Sequence, residues 1–196
     1  MLRNDSNQPR ARKRSALRPA AAALLLAWLA HAGLAAEPDD ALVRETELKA
    51  AFIYNFTKFV EWPPATTMAK GSPIVIAILG ETPLTAELGV IAQGRKVNGH
   101  PIVVTTFDAE PGRAIHILFV TATEDQRFAA LPTSYRDGAV LTVGESPAFA
   151  AAGGAIAFVR QDGKLRFAIN ISAAERAHLK VSGELQKLAA AVVRSP

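Results

Sequence analysis

The chain contains no cysteine, and only two methionines, two tryptophans and two tyrosines among its 196 residues. Without a thiol there is no cysteine nucleophile, no thiolate-bound metal and no disulfide, whether structural or redox-active. It also lacks a run long enough to cross a bilayer. The longest apolar stretch, Ala20 to Leu34, covers 15 residues, whereas a spanning helix needs about 20. There is no HExxH pattern, and the histidines His100, His116 and His178 have no neighbour at metal-ligand spacing. Gly80-Glu81-Thr82-Pro83 follows an apolar run as a phosphate loop would, but offers one glycine and no lysine. Nothing in the sequence implies a cofactor.

An excess of one charge is missing too, once the leader is set aside. The full chain carries 22 Lys and Arg against 18 Asp and Glu, and residues 1–36 hold six of those bases and one of the acids. The remainder has 16 bases and 17 acids, a net charge of −1, so the basic balance of the whole chain points to no nucleic-acid partner. Those first 36 residues have the order of an export signal: a basic stretch with Arg10, Arg12, Lys13, Arg14 and Arg18, the short apolar run, then Gly33-Leu34-Ala35-Ala36. We read residues 1–36 as a cleaved signal peptide and 37–196 as one exported domain in the periplasm. A membrane anchor is the competing reading, and the shortness of the run argues against it.

The domain is organised around Glu47 to Pro64. At 100° per residue, Leu48, Phe52, Phe56, Phe59 and Trp62 share one side, widened by Ile53 and Val60. This predicts a helix over Leu42–Glu61, covered along most of its circumference. Glu47, Tyr54, Thr57, Lys58 and Glu61 form the narrow polar remainder. Asn55 lies near the centre of the apolar arc, where its amide must find partners or cost about 1–3 kcal/mol. Pro63 and Pro64 end the helix after Trp62 and hold that aromatic at a rigid corner.

Further on, Pro73–Leu79, Pro101–Phe107, Ile115–Val120 and Ala139–Val143 are apolar runs that predict buried strands. Pro83–Ala92, with Thr82 as cap, and Glu124–Leu131 have helical spacing. Pro147–Ala152 predicts a helical turn closed by Gly153-Gly154. Asp162-Gly163 between Ala155–Arg160 and Lys164–Ile169 is the strongest hairpin signal. Ser172-Ala-Ala-Glu175 has the form of a capping box, and Leu185, Leu188, Ala189 and Val192 mark a last helix. The pattern implies an α/β fold: a single-domain sandwich with a mixed, mostly parallel sheet, a C-terminal β-hairpin and flanking helices.

One constellation deserves a test as an enzyme. Gly144-Glu-Ser146-Pro-Ala148 lies between a strand and a helix, with Asp162 and His178 following in hydrolase order. An oxyanion hole would use the N–H of the residue after the nucleophile, and Pro147 has none. Ser146 therefore reads as an N-cap with Pro147 at the first helical position, and no catalytic residue is assigned. His116 reads as a hydrogen-bonded core residue. Asn55 and Asn170 read as structural polar brackets. The candidate partner-binding surface is Trp62, Pro63 and Pro64 with Glu61 and Lys58, because a rigid aromatic can protrude at little entropic cost. In the competing reading Trp62 plugs the helix end into the core.

The segment ELKAAFIYNFTKFVEWP, residues 47–63, resembles the opening signature of the YfiR-like family of small periplasmic regulators. The resemblance runs roughly from Leu48 to Leu188. It passes through His116-Ile-Leu-Phe-Val120, Gly153-Gly154-x-Ile156-x-Phe158 and Ile169-Asn170-x-x-Ala173-Ala174, then Leu179-x-Val181-Ser182 and Leu188-Ala189. It implies a protein that binds and represses an inner-membrane diguanylate cyclase of the YfiN type, lowering cyclic di-GMP and biofilm formation. Release by an outer-membrane lipoprotein of the YfiB type is implied as well, and a homodimer is compatible with it. Two positions depart from the family pattern. Ile115 stands where a cysteine is often found, and Ala177-His178-Leu179 replaces Ala-Gly-Leu. Related domains occur fused to sensor kinases, so the alternative function is a periplasmic small-molecule sensor acting on another signalling protein. Cleavage after Ala35 or Ala36 is directly measurable. The intact mass of the exported protein should lack residues 1–34, and a mass retaining them would make the chain membrane-anchored.

Overall fold

Four phenylalanines set the architecture. Phe52 and Phe56 lie on helix α1 (Pro38–Phe59), and both rings meet Phe167 edge-on, at 5.4 and 5.2 Å. Phe158 lies 6.1 and 6.4 Å from the same two rings. The computed structural model describes residues 38–63, 69, 71–108 and 114–194, so the expected signal peptide and Pro64 lie outside the described residues.

After α1 come β1 (Val60–Glu61), β2 (Ile74–Leu79), α2 (Leu84–Ala92), β3 (Lys96–Val97), β4 (His100–Thr106) and β5 (Ile117–Val120). A 3₁₀ turn (Ala122–Glu124) leads into α3 (Asp125–Ala129), α4 (Thr133–Arg136), β6 (Leu141–Gly144) and α5 (Pro147–Ala151). The chain ends with β7 (Ile156–Gln161), β8 (Lys164–Asn170), α6 (Ile171–Arg176), β9 (Lys180–Val181), α7 (Gly183–Leu188) and β10 (Ala191–Val193). Eight strands form one sheet in the order β10-β8-β7-β6-β5-β2-β4-β3. The run from β4 to β7 is parallel throughout; β8 is antiparallel to β7, β3 is antiparallel to β4, and β10 lies parallel to β8. The fold is thus an α/β sandwich with a mixed, mostly parallel sheet and an antiparallel hairpin.

The unbroken apolar strands are explained by cover on both faces. Ile74, Ile76, Ile78, Ile117, Phe119, Leu141, Val143 and Ile156 belong to one core cluster with Ile53 and Phe56 of α1 and Leu84 and Leu88 of α2. Ala77, Leu79, Leu118, Val120 and Ala157 belong to a second cluster, with Phe128 of α3 and Phe149 of α5. The rings of Phe128 and Phe149 are 4.6 Å apart. Gly154 lies so close to this pair that a Cβ there would sit 2.0 Å from the Phe149 ring, which is why the glycine pair ends in backbone alone. At the hairpin, Asp162 and Gly163 both have positive φ, 51° and 71°, as the turn signal required.

Several expectations are corrected. The buried line of α1 is Ala50, Ile53, Phe56 and Thr57, while Leu48 is 42% exposed; the arc is rotated away from the predicted one. Thr57 tolerates burial because its hydroxyl donates to the Tyr54 carbonyl at 2.6 Å, one turn back. The helix ends at Phe59, since Val60 and Glu61 pair as a strand with β9. Helix α6 is capped by Asn170 and not by Ser172: Asn170 Oδ1 accepts from Ala173 N at 3.3 Å. The last helix stops at Leu188, and Val192 lies in β10 against Ile169, because β8 offers an unpaired edge that a β-branched segment can take. The Ala177-His178-Leu179 departure also has an explanation. His178 ends α6 at φ 57°, with Leu179 N donating to Ala174 O and His178 N to Glu175 O, both at 2.9 Å, the Schellman arrangement in which glycine is favoured.

The two asparagines differ sharply. Asn170 is fully buried, its Nδ2 donating to Ala150 O at 3.2 Å while its Oδ1 caps α6. Asn55 is half-buried, and its Oδ1 accepts from the exposed Lys58 ammonium at 3.2 Å. Asn170→Ala should therefore lower the unfolding free energy by about 1–3 kcal/mol in urea titrations, and Asn55→Ala by no more than about 0.5 kcal/mol. Equal losses would mean that Asn55 holds buried groups together after all.

Candidate functional site

Of the five residues singled out for partner binding, four lie together. The two-stranded ribbon of β1 and β9 pairs Val60 with Val181 and Glu61 with Lys180, and Ser182 N donates to Phe59 O at 2.9 Å. This ribbon turns the chain so that Trp62 meets the sheet at His116, just before β5. Trp62 Nε1 donates to the His116 carbonyl at 3.3 Å, and the two rings stand at 72° with centroids 6.1 Å apart. The indole is half-buried, packed on the large core cluster along one side. The ring is anchored, and part of it stays accessible.

A cleft of about 320 Å³ opens beside it, lined by Lys58, Glu61, Trp62 and Pro63 together with Asn98 and His100. Lys58 and Glu61 are exposed, and the Lys58 ammonium lies 4.3 Å from the centre of the Tyr54 ring. Asn98 and His100 escaped the sequence reading. Their signal was Asn98-Gly99, a two-residue turn with φ 52° and 85° that joins the short edge strand β3 to β4.

His116 holds Trp62 through its carbonyl and ring. Only 6% exposed, it exchanges backbone hydrogen bonds with its neighbours: its N–H donates to Val75 O at 2.9 Å, and its carbonyl accepts from Leu141 N at 2.8 Å. Its Nδ1 accepts from Val75 N at 3.0 Å, which puts the proton of the neutral ring on Nε2. Burial lowers the His116 pKa from its ordinary value, and the charge of His100 lowers it further. His100 Nδ1 in turn donates to the Ser72 carbonyl at 2.8 Å.

The hydrolase-like constellation is arranged otherwise. Ser146 Oγ donates to Asp125 Oδ2 at 2.6 Å and accepts from Phe149 N at 3.2 Å, so it caps α5 with Pro147 at the first helical position. Its hydrogen bonds among the described residues include no imidazole. Among the described residues no cluster of three or more His, Asp or Glu could hold a metal, and no helix is long and apolar enough to cross a membrane.

The YfiR/HmsC-like family model matches residues 46–190, which takes in α1 from Thr46 onward, the ribbon, the cleft and the whole sheet save β10. The chain belongs to the YfiR/HmsC-like family. No curated protein matches it. Among solved structures, one described as the ABC domain in complex with L-Trp from Streptococcus pneumonia overlaps it with 11% identity and a TM-score of 0.49. That overlap covers 76% of this chain and 60% of the other, a likeness too shallow to carry a fold or a ligand across.

For this YfiR/HmsC-like domain the His116 geometry fixes a sign. Its folded pKa is below the unfolded value near 6.5, so its contribution to stability is present above that value and lost as pH falls through the lowered one. The urea midpoint of the wild type should drop between pH 7.5 and 5. His116→Gln, which keeps an acceptor for Val75 N and does not titrate, should flatten that segment. A wild-type midpoint independent of pH across the window would contradict the assignment.

Proposed function

We propose that this YfiR/HmsC-like domain works in the periplasm as a regulatory protein rather than an enzyme, binding and repressing an inner-membrane diguanylate cyclase of the YfiN type. Its action lowers cyclic di-GMP and biofilm formation, and an outer-membrane lipoprotein of the YfiB type relieves it. The observation that carries this reading is the family match over residues 46–190. The Trp62 cleft supplies a contact surface to go with it: an aromatic anchored by its own N–H, flanked by one exposed cation and one exposed anion.

A repressor favours the inactive cyclase only by binding that state more tightly than the active one. Release then needs a competitor for the same surface, or one that prefers another conformation of the repressor. With no cysteine in the chain, the switch runs through binding equilibria and not through a thiol couple. The same cleft supports the second reading, a small-molecule sensor domain, because its 320 Å³ falls within the size range of ligand pockets.

Trp62→Ala separates contact from packing when fold and output are measured together. In a deletion strain, the wild-type protein should restore low cyclic di-GMP, and a normally folded Trp62→Ala should leave it high. Full repression by the folded mutant would remove Trp62 from the interface. A wild-type protein without effect on cyclic di-GMP would sink the repressor reading, and a response to dithiothreitol would contradict a thiol-free switch.

A further inference from the structure

A second cleft, sharing no residue with the Trp62 site, lies among α4, α5 and α6. It has a volume of about 330 Å³ and is lined by Arg136, Asp137, Ala151, Ala152, Gly153 and Arg176. Its charges are unevenly matched. The Arg176 Nε sits 3.5 Å from Asp137 Oδ1, a loose pair with both side chains partly exposed. Arg136 has neither an ion pair nor a side-chain hydrogen bond among the described residues, and its Nε is buried without any partner. Burying a guanidinium donor unpaired is costly, so a structure that keeps one there lacks an acceptor at that place.

Near the end of α5, Ala148 O accepts from Ala152 N at 2.9 Å, Phe149 O from Gly154 N at 3.0 Å, and Ala150 O from Gly153 N at 3.2 Å. Ala150 O receives the Asn170 amide as well. These three carbonyls receive backbone and amide donors, and none of them receives Arg136. The floor of the cleft is bare for independent reasons. Gly153 has φ +93°, a left-handed conformation that residues with a Cβ rarely adopt, so no side chain stands at this position beside the Arg176 guanidinium.

We propose that this cleft is an oxyanion-binding site, taking a carboxylate or phosphate group between the guanidinium groups of Arg136 and Arg176. Two guanidinium forks against one carboxylate leave one positive charge for the ligand to balance, and a planar fork accepts the paired oxygens of either anion. The residues that line it are small on the third side, Ala151 and Ala152, which leaves room for the group that carries the anion.

The test follows the arginine Nε–Hε and Gly153 amide signals by ¹H–¹⁵N NMR while inorganic phosphate or acetate replaces chloride at constant ionic strength. Saturable shifts centred on Arg136, Arg176 and Gly153 are expected with at least one of the two anions. Arg136→Gln should weaken that binding at least about tenfold, the loss expected for one charged hydrogen-bond partner. Should that variant fail to fold, Arg176→Gln serves, with circular dichroism as the control for both. Co-sedimentation with phosphatidylglycerol vesicles, competed by phosphate, distinguishes a lipid headgroup from a free anion, and saturable phosphate binding without co-sedimentation assigns the free ion. Shifts that stay linear and match those from chloride would overturn the proposal, as would unchanged affinity in both folded variants.

Discussion

The docking of α1 on the β7–β8 hairpin is the contact on which the rest depends. Four rings interlock there, two from the helix and one from each strand, and edge-on pairs of this kind add about 0.5–1.5 kcal/mol beyond the area they bury. Because β8 runs antiparallel to β7, the two are joined by a tight turn with no crossover helix between them; α1, arriving from the start of the domain, provides their cover. The helix is pinned further along by charge. Lys49 Nζ lies 3.0 Å from Glu45 and 2.9 Å from Glu145, Glu45 also meets Arg160 of the hairpin, and Glu145 accepts from Ala122 N at 3.3 Å. Burial alone would lower the Lys49 pKa, but its hydrogen bonds to Glu145 and Glu45 outweigh that and leave it raised, so the ammonium stays charged where it joins the helix to the ends of two strands.

With the helix held at both places, its C-terminal end has little freedom, and the functional geometry follows. Phe59 accepts from Ser182 N, Val60 and Glu61 pair with β9, and Trp62 is delivered to the His116 carbonyl. The indole is thus restrained by a hydrogen bond and by core contact before any partner arrives. A surface aromatic ordered in advance loses less entropy on binding than a free one, which is the physical argument for the contact role proposed for this corner. The Arg136 cleft arises differently. Its floor is the end of α5, where Ala151, Ala152 and the left-handed Gly153 present no large side chain beside Arg136 and Arg176.

Local signals in the chain proved legible wherever the cause is itself local. The turn at Asp162-Gly163 needs two positive φ values that few other residue pairs supply, and Ser146-Pro147 marks a helix start because proline's missing N–H costs nothing there. The absence of thiol chemistry is a matter of composition alone. Continuous apolar strands alternating with helices specify a sheet covered on both faces, since half-exposed strands would have alternated. The signature around α1 and the glycine pair is likewise readable, and it belongs to the family.

What sequence by itself did not decide is everything set by the element that lies opposite. Periodicity placed Leu48 inside and Thr57 outside, yet the helix is rotated because the hairpin aromatics, more than 100 residues further on, choose which side they receive. Val192 could have continued a helix; the open edge of β8 made it a strand. Asn170 and Asn55 are the same residue type in similarly apolar stretches, and only packing makes one a buried cap and leaves the other half-buried beside Lys58. The sequence alone determined the class of fold, its hairpin turn, the cap at Ser146 and the chemistry it must do without. The tertiary structure decided the helix's facing, the edges of the sheet, the restraint on Trp62 and the placing of two arginines at one cleft, because contacts between distant segments carry no local signal that a single chain displays before it folds.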